Sequence, residues 1–194
     1  EPENYSNYFS IRFCTKKEFY KDSWSEELKI HDALVEPFDA KIIDGKIYVW
    51  GTFSRDNKDR NKIWVMTSTN WKDWSKPLLA FNNDMEWKGY RTRGFTVQKN
   101  HGKDEYLAFF CGQSNDGSGR FSIGRATSTK KQLKNNKWKE DKSNPVFTAK
   151  DISWNGKDVV LYPFLLPKLS NETWIMAMAS YLPQPQKFSI GFAL

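Results

Sequence analysis

The sequence predicts an all-β protein, a β-propeller of four-stranded antiparallel blades present as an incomplete set of about three blades. Three observations carry this. One phrase recurs, as FSIGRATS at residues 121–128, FSIGFAL at 188–194, FSIRFCTK from Phe9 and, more divergently, IWVMTSTNWKDW from Ile63; self-similarity over tens of residues is the mark of a repeat architecture. A second landmark moves with the first, since Pro37, Phe95 and Pro163 each stand 11 residues before an aromatic, Tyr48, Tyr106 and Trp174. The run that opens near each aromatic is apolar at both alternating sets of positions, so both faces of that strand are covered. A radial stack of sheets does this, because each blade lies between two neighbours.

Taken in order, residues 9–32 supply a partial blade. Residues 33–82 form a full one, with strands PFDAKII, KIYVWGTF and IWVMTST and a more polar outer strand at 76–81. Asp44-Gly45 joins the first two, and such a pair suits a two-residue type I′ turn, whose central positions both need φ > 0. Residues 87–150 form the next blade, with FTVQK, EYLAFFC and FSIGRATS and an outer strand at 138–148. Its Gly-rich GQSNDGSGR segment links two strands instead of opening a helix, which argues against a phosphate loop. Residues 154–194 give three more strands. Thirteen strands leave an open arc where propellers close with about 4 to 8 blades, so ring closure calls for further blades or for self-association. The competing architecture is a β-sandwich, which the paired 11-residue spacings disfavour.

With 194 residues, 16% aromatic content and nine Trp, the chain has ample apolar surface for a core. No stretch reaches the roughly 18 apolar residues of a membrane span, and the opening EPENYSNYF lacks the apolar run of a signal peptide. The expectation is a soluble protein, with no membrane partner, either secreted after loss of a signal or cytoplasmic. The net charge of +7 would suit an anionic partner, but the basic residues are scattered through turns such as Lys130, Lys131, Lys134 and Lys137, interleaved with Asn, which describes a solvated surface and makes nucleic acid the least favoured partner. Cys14 and Cys111 sit in apolar runs without metal or redox spacing, and His31 and His101 are isolated. Neither a cofactor nor a metal is expected.

In a propeller the innermost strands converge on the axis, so the residues just before Pro37, Phe95 and Pro163 can line one pocket. They read Val-Glu-Pro, Arg-Gly-Phe and Leu-Tyr-Pro, placing Glu36, Gly94 and Tyr162 at equivalent stations. Asp39 follows Glu36 by three residues and by alternation belongs on the opposite face. Arg91 and Arg93 share a face if the segment is extended, and an arginine fork suits the carboxylate of an acidic sugar. Trp87, Trp154 and Tyr162 precede inner strands and could stack on sugar rings. The ordinary alternatives are a solvated turn for Glu36, an exposed edge pair for the arginines and core packing for each Trp.

An inner strand opened near a Pro, an aromatic-rich second strand, then a strand and a Trp as in FSIGRATSTKKQLKNNKWKEDKSNPVFTA and IWVMTSTNWKDWSKPLLAF, resembles the five-bladed propeller glycosidases, glycoside hydrolase families 43 and 32 being the nearest. The resemblance implies a five-bladed type, a glycan at the axis, and an Asp, an Asp and a Glu at the axial ends of different blades. Carried over, Glu36-Pro37 stands where Asp-Pro is expected, Arg93-Gly94-Phe95 where Arg-Asp-Pro is expected, and Leu161-Tyr162-Pro163 brings no acid. Glycoside hydrolysis uses two carboxyl groups about 5 to 10 Å apart. Glu36 and Asp39 are the candidate catalytic pair, with Asp32 and Asp158 in reserve, and Arg91, Arg93, Tyr162, Trp87 and Trp154 are the candidate substrate contacts. The expected function is that of a carbohydrate-active protein resembling a glycoside hydrolase, acting on or binding an oligosaccharide or polysaccharide. A non-catalytic glycan-binding or interaction propeller is the alternative.

Overall fold

In a computed structural model, residues 9–11, 24–25, 28–31, 36–52, 59, 61–82, 85–100, 102–151, 159–166, 175–182 and 187–193 are described. Four antiparallel sheets hold the described strands. The first pairs β1 (Phe9–Ile11) with β2 (Leu28–His31). The second runs β3 (Glu36–Ile43), β4 (Lys46–Thr52), β5 (Lys62–Ser68), β6 (Leu78–Asn82). The third runs β7 (Arg91–Asn100), β8 (Glu105–Gln113), β9 (Phe121–Thr129), β10 (Lys139–Glu140). The fourth runs β11 (Val160–Leu165), β12 (Met176–Leu182), β13 (Lys187–Ala193). Strand order follows chain order in every sheet, so each sheet's first strand is an edge. The edges β3, β7 and β11 lie side by side, β7 touching both others, and together they make the inner rim of a propeller.

Local chemistry explains the hairpins. Asp44 and Gly45 both have positive φ, 52° and 72°, and they close Ile43 onto Lys46 as a type I′ turn requires. β4 is buried along Ile47–Thr52 with no alternation, because both of its faces are covered. On one, Tyr48 and Trp50 join Phe81, Phe95 and Phe110 in the core between the second and third sheets; on the other, Ile47 and Val49 lie under Trp71 and Trp74. The third sheet is likewise covered twice, its second face packing Ile123 against Val160, Leu165, Met176 and Met178. The aromatic core is interlocked: Phe81 and Phe110 have ring centroids 4.6 Å apart, and Phe95 meets Trp138 edge-on at 5.6 Å, contacts worth about 0.5–1.5 kcal/mol each beyond area burial.

Two sequence expectations are corrected here. The outer strand of the third sheet spans only Lys139–Glu140, because the chain turns at Asp141. Asn144 then takes the place of a strand residue, its Oδ1 accepting from the Arg125 N–H at 2.8 Å and its Nδ2 donating to the Arg125 carbonyl at 2.9 Å. The Lys-rich segment is also more than a turn, since Lys130–Lys134 form a short helix, α1. Its signal was present: Thr129 caps the helix and Gln132 reaches back to the Thr129 N–H at 2.9 Å, the reciprocal arrangement of a capping box.

Candidate functional site

All three inner strands are irregular at the same end. The register shifts between Pro37 and Asp39 in β3, between Thr92 and Phe95 in β7, and between Leu161 and Phe164 in β11. Each shift inserts one residue, and such bulges bend a strand and re-aim its side chains.

In β3 the bulge overturns the alternation argument. Glu36 pairs with Thr52 and Asp39 with Trp50, and because Thr52 and Trp50 are two apart, Glu36 and Asp39 fall on the same face of the sheet. Asp39 turns toward β7, where its Oδ2 accepts the Val97 N–H at 2.7 Å while its Oδ1 takes the Ala40 N–H at 2.8 Å and the Lys41 ammonium at 3.2 Å. Its side chain is only 8% exposed. Burial raises its pKa above the ordinary value; the Val97 N–H and then the Lys41 charge oppose that rise. Glu36 is half-buried one strand pair away from this network.

In β7 the bulge is made by Arg93 and Gly94. Gly94 has φ = 79°, and a Cβ there would lie 3.1 Å from the Tyr162 Cα and 3.2 Å from the Pro163 Cδ. Only glycine permits both the backbone conformation and this approach of β11. Tyr162 is itself left-handed, with φ = 52°, although it carries a side chain and precedes Pro163. Backbone strain of about 1–3 kcal/mol at such a residue persists only where the surroundings impose it. The Arg93 Nη1 donates to the Tyr162 hydroxyl at 3.2 Å, which ties the two inner strands together at their solvent face.

Beneath them lies Cys111, fully buried, with its Sγ donating to the Val160 carbonyl at 3.5 Å. Burial pushes its thiol up to about 12, while the Tyr162 and Arg93 backbone N–H groups and the Arg93 charge pull it down and the Glu36 charge pushes it up. Arg93 and Tyr162, from two inner strands, therefore form a cluster over Cys111, and Glu36 opens the third inner strand.

Other expected contacts lie elsewhere. Trp87 packs in the core, stacked on Phe110 at 5.9 Å. Arg91 sits two residues before Arg93, opposite Gln113. Trp154, Asp32, Asp158 and His101 lie outside the described residues. Surface hollows lined by Thr127, Lys139 and Lys142, and by Arg120, Ser122 and Lys150, involve no inner strand. Among the described residues no group of three or more His, Cys, Asp or Glu is placed to hold a metal ion, and no helix is long and apolar enough to cross a membrane. What sequence reasoning missed is the work of Asp39 and Gly94 between strands, for which a long-range contact leaves no local signal.

No family model and no curated protein matches the chain. Solved structures do. It is similar to the catalytic domain of a glycoside hydrolase family 62 α-L-arabinofuranosidase from Coprinopsis cinerea, with TM-score 0.60 and 14% identity over 82% of this chain and 53% of that one. It is similar to a family 32 β-fructofuranosidase from Bombyx mori, with TM-score 0.62 and 12% identity over 84% and 33%. A xylan β-1,4-xylosidase from Bacillus halodurans gives TM-score 0.63 and 13% identity over 87% and 33%. The chain spans between a third and about half the length of these structures. At such identities the likeness speaks for fold: the chain has the blade architecture of the five-bladed β-propeller glycosidases.

Proposed function

We propose that this chain is a carbohydrate-active propeller that holds a glycan where β3, β7 and β11 begin, with Glu36 as its reacting carboxyl. The observation that carries the reading is that Arg93 and Tyr162, from two inner strands, meet at the end where all three inner strands bulge, and that Glu36 begins the third. The exposed Tyr162 ring offers a flat apolar surface to a sugar ring, and Arg93 supplies donors to sugar oxygens. As a general acid, Glu36 would protonate the glycosidic oxygen as the bond to the anomeric carbon breaks, and a second carboxylate would activate water or attack directly. The carboxylate of Asp39 is held by Val97, Ala40 and Lys41, which suits a positioning role. Asp32 and Asp158 remain as candidates for the second carboxyl.

A second reading, glycan binding without cleavage, is favoured by one observation: Gly94 and Tyr162 occupy the two axial stations at which the resemblance places acids. Hydrolysis of aryl furanosides and pyranosides, together with a glycan array, separates the two. Turnover that disappears in Glu36→Gln while glycan binding persists supports the enzyme. Binding without turnover in the unaltered chain supports the second reading. A chain that neither binds nor cleaves any glycan is neither.

A further inference from the structure

We propose that Arg93 and Tyr162 form a subsite for the carboxylate of an acidic sugar, a step that rests on the glycan reading above and names the class of glycan. Charge balance is the first argument. Several cations of these blades have carboxylate partners: Lys41 with Asp39, Lys62 with Asp59, Lys88 with Glu140, Arg125 with Asp141 and Lys130 with Asp44. Arg93, half-buried on an inner strand, makes no ion pair among the described residues, and its hydrogen-bond partner is the neutral phenol of Tyr162. Its Nε is buried without an acceptor, so part of the guanidinium lies where water does not screen it and attraction for an anion at its open side is strengthened.

The second argument is the chemistry of the donors. A tyrosine hydroxyl that accepts from Arg93 keeps its own proton to donate, so guanidinium and phenol present donors side by side and no carboxylate between them. A planar carboxylate is the matching acceptor for an arginine fork. The Tyr162 ring, 38% exposed, would face the ring that bears that carboxylate, so one uronic acid residue meets both partners.

The third argument is preorganisation. Gly94 lets β11 approach closely, and Tyr162 is held in a left-handed conformation before Pro163. The approach of the two strands that carry the pair is therefore set by backbone, which lessens the ordering left to binding.

The test is calorimetric titration of the full chain with oligosaccharides bearing a single glucuronate or galacturonate, each paired with its carboxyl-reduced form and with a sulfated analogue. About 0.15 M salt limits general attraction to the basic surface, since the Debye length is then about 8 Å. The acidic form is expected to bind about tenfold tighter than the reduced form, the preference to vanish in Arg93→Gln, and to fall about threefold in Tyr162→Phe, with thermal melts confirming that each variant folds. If Arg93→Gln does not fold, Tyr162→Phe decides alone. Equal binding of acidic and reduced forms overturns the subsite and leaves the glycan reading standing. A preference that survives both substitutions overturns the assignment to this pair, and sulfated analogues binding as tightly overturn the carboxylate. Binding of no member of the panel overturns the glycan reading and the subsite with it.

Discussion

The Val97 N–H of one inner strand is received by the Asp39 carboxylate of its neighbour at 2.7 Å, a hydrogen bond between blades at a place where neither sheet's own ladder supplies an acceptor. Asp39→Ala leaves this buried donor unpaired, a loss of about 1–3 kcal/mol to be read by urea denaturation. The pH dependence has a defined sign. Burial raises the Asp39 pKa above its ordinary 3.8, so between the two values the folded state binds more protons than the unfolded chain. Its contribution is greatest below 3.8 and declines as pH rises through the folded value. The stability of the natural chain minus that of Asp39→Asn should fall with pH across that window; a difference that rises contradicts the assignment.

Gly94→Ala and Gly102→Ala form a controlled pair. Both glycines are left-handed, φ = 79° and 86°, but a Cβ at Gly102 meets nothing within 4 Å whereas one at Gly94 meets Tyr162 and Pro163. Gly102→Ala should lose about 1–2 kcal/mol from backbone strain. Gly94→Ala should lose about 1–3 kcal/mol more from overpacking and should weaken any glycan binding, since β11 must shift. Equal losses would mean that the strand approach is slack.

Lys88 is fully buried; its ammonium is 2.6 Å from Glu140 and 4.8 Å from the centre of the Phe81 ring. Glu140 is 29% exposed. Removal of the carboxylate takes its ion-pair partner from the deeper charge, so Glu140→Ala should destabilise by about 3–5 kcal/mol. In Lys88→Met the Glu140 carboxylate, whose Oε2 is buried in the unaltered chain, has only to rotate on a partly exposed side chain to meet water, so this variant should lose less than half as much. Thermal or chemical melts giving the reverse order would contradict this placement of the pair.

Cys111 should be inert in the folded protein. A thiol raised to about 12 is ionised to only about one part in ten thousand at pH 8, and burial blocks access to it. Peptide mapping after brief alkylation should find Cys111 unmodified in native protein and fully modified in denaturant. Labelling of native Cys111 at the rate of a free thiol would show that the floor of the cluster opens.

The sequence by itself determined the blades. Strand periodicity, the recurring FSIG phrase and the Asp44-Gly45 turn are local, and a local signal survives without knowledge of the rest of the fold. The sequence aligns Glu36, Gly94 and Tyr162 just before Pro37, Phe95 and Pro163, but the inner strands start earlier, so these residues lie within β3, β7 and β11, at or beside their bulges. The faces were not legible. One inserted residue in β3 moves Asp39 to the side of Glu36, and alternation cannot anticipate a bulge. Trp87 belongs to the core because Phe110, 23 positions later in the chain, folds back against it. Only the tertiary structure decided that Asp39 binds Val97, that Gly94 yields room to Tyr162 and that Arg93 reaches the Tyr162 hydroxyl. Each of these joins residues 58 to 69 positions apart, and contacts at that separation are fixed by how the sheets pack, not by the composition of either strand.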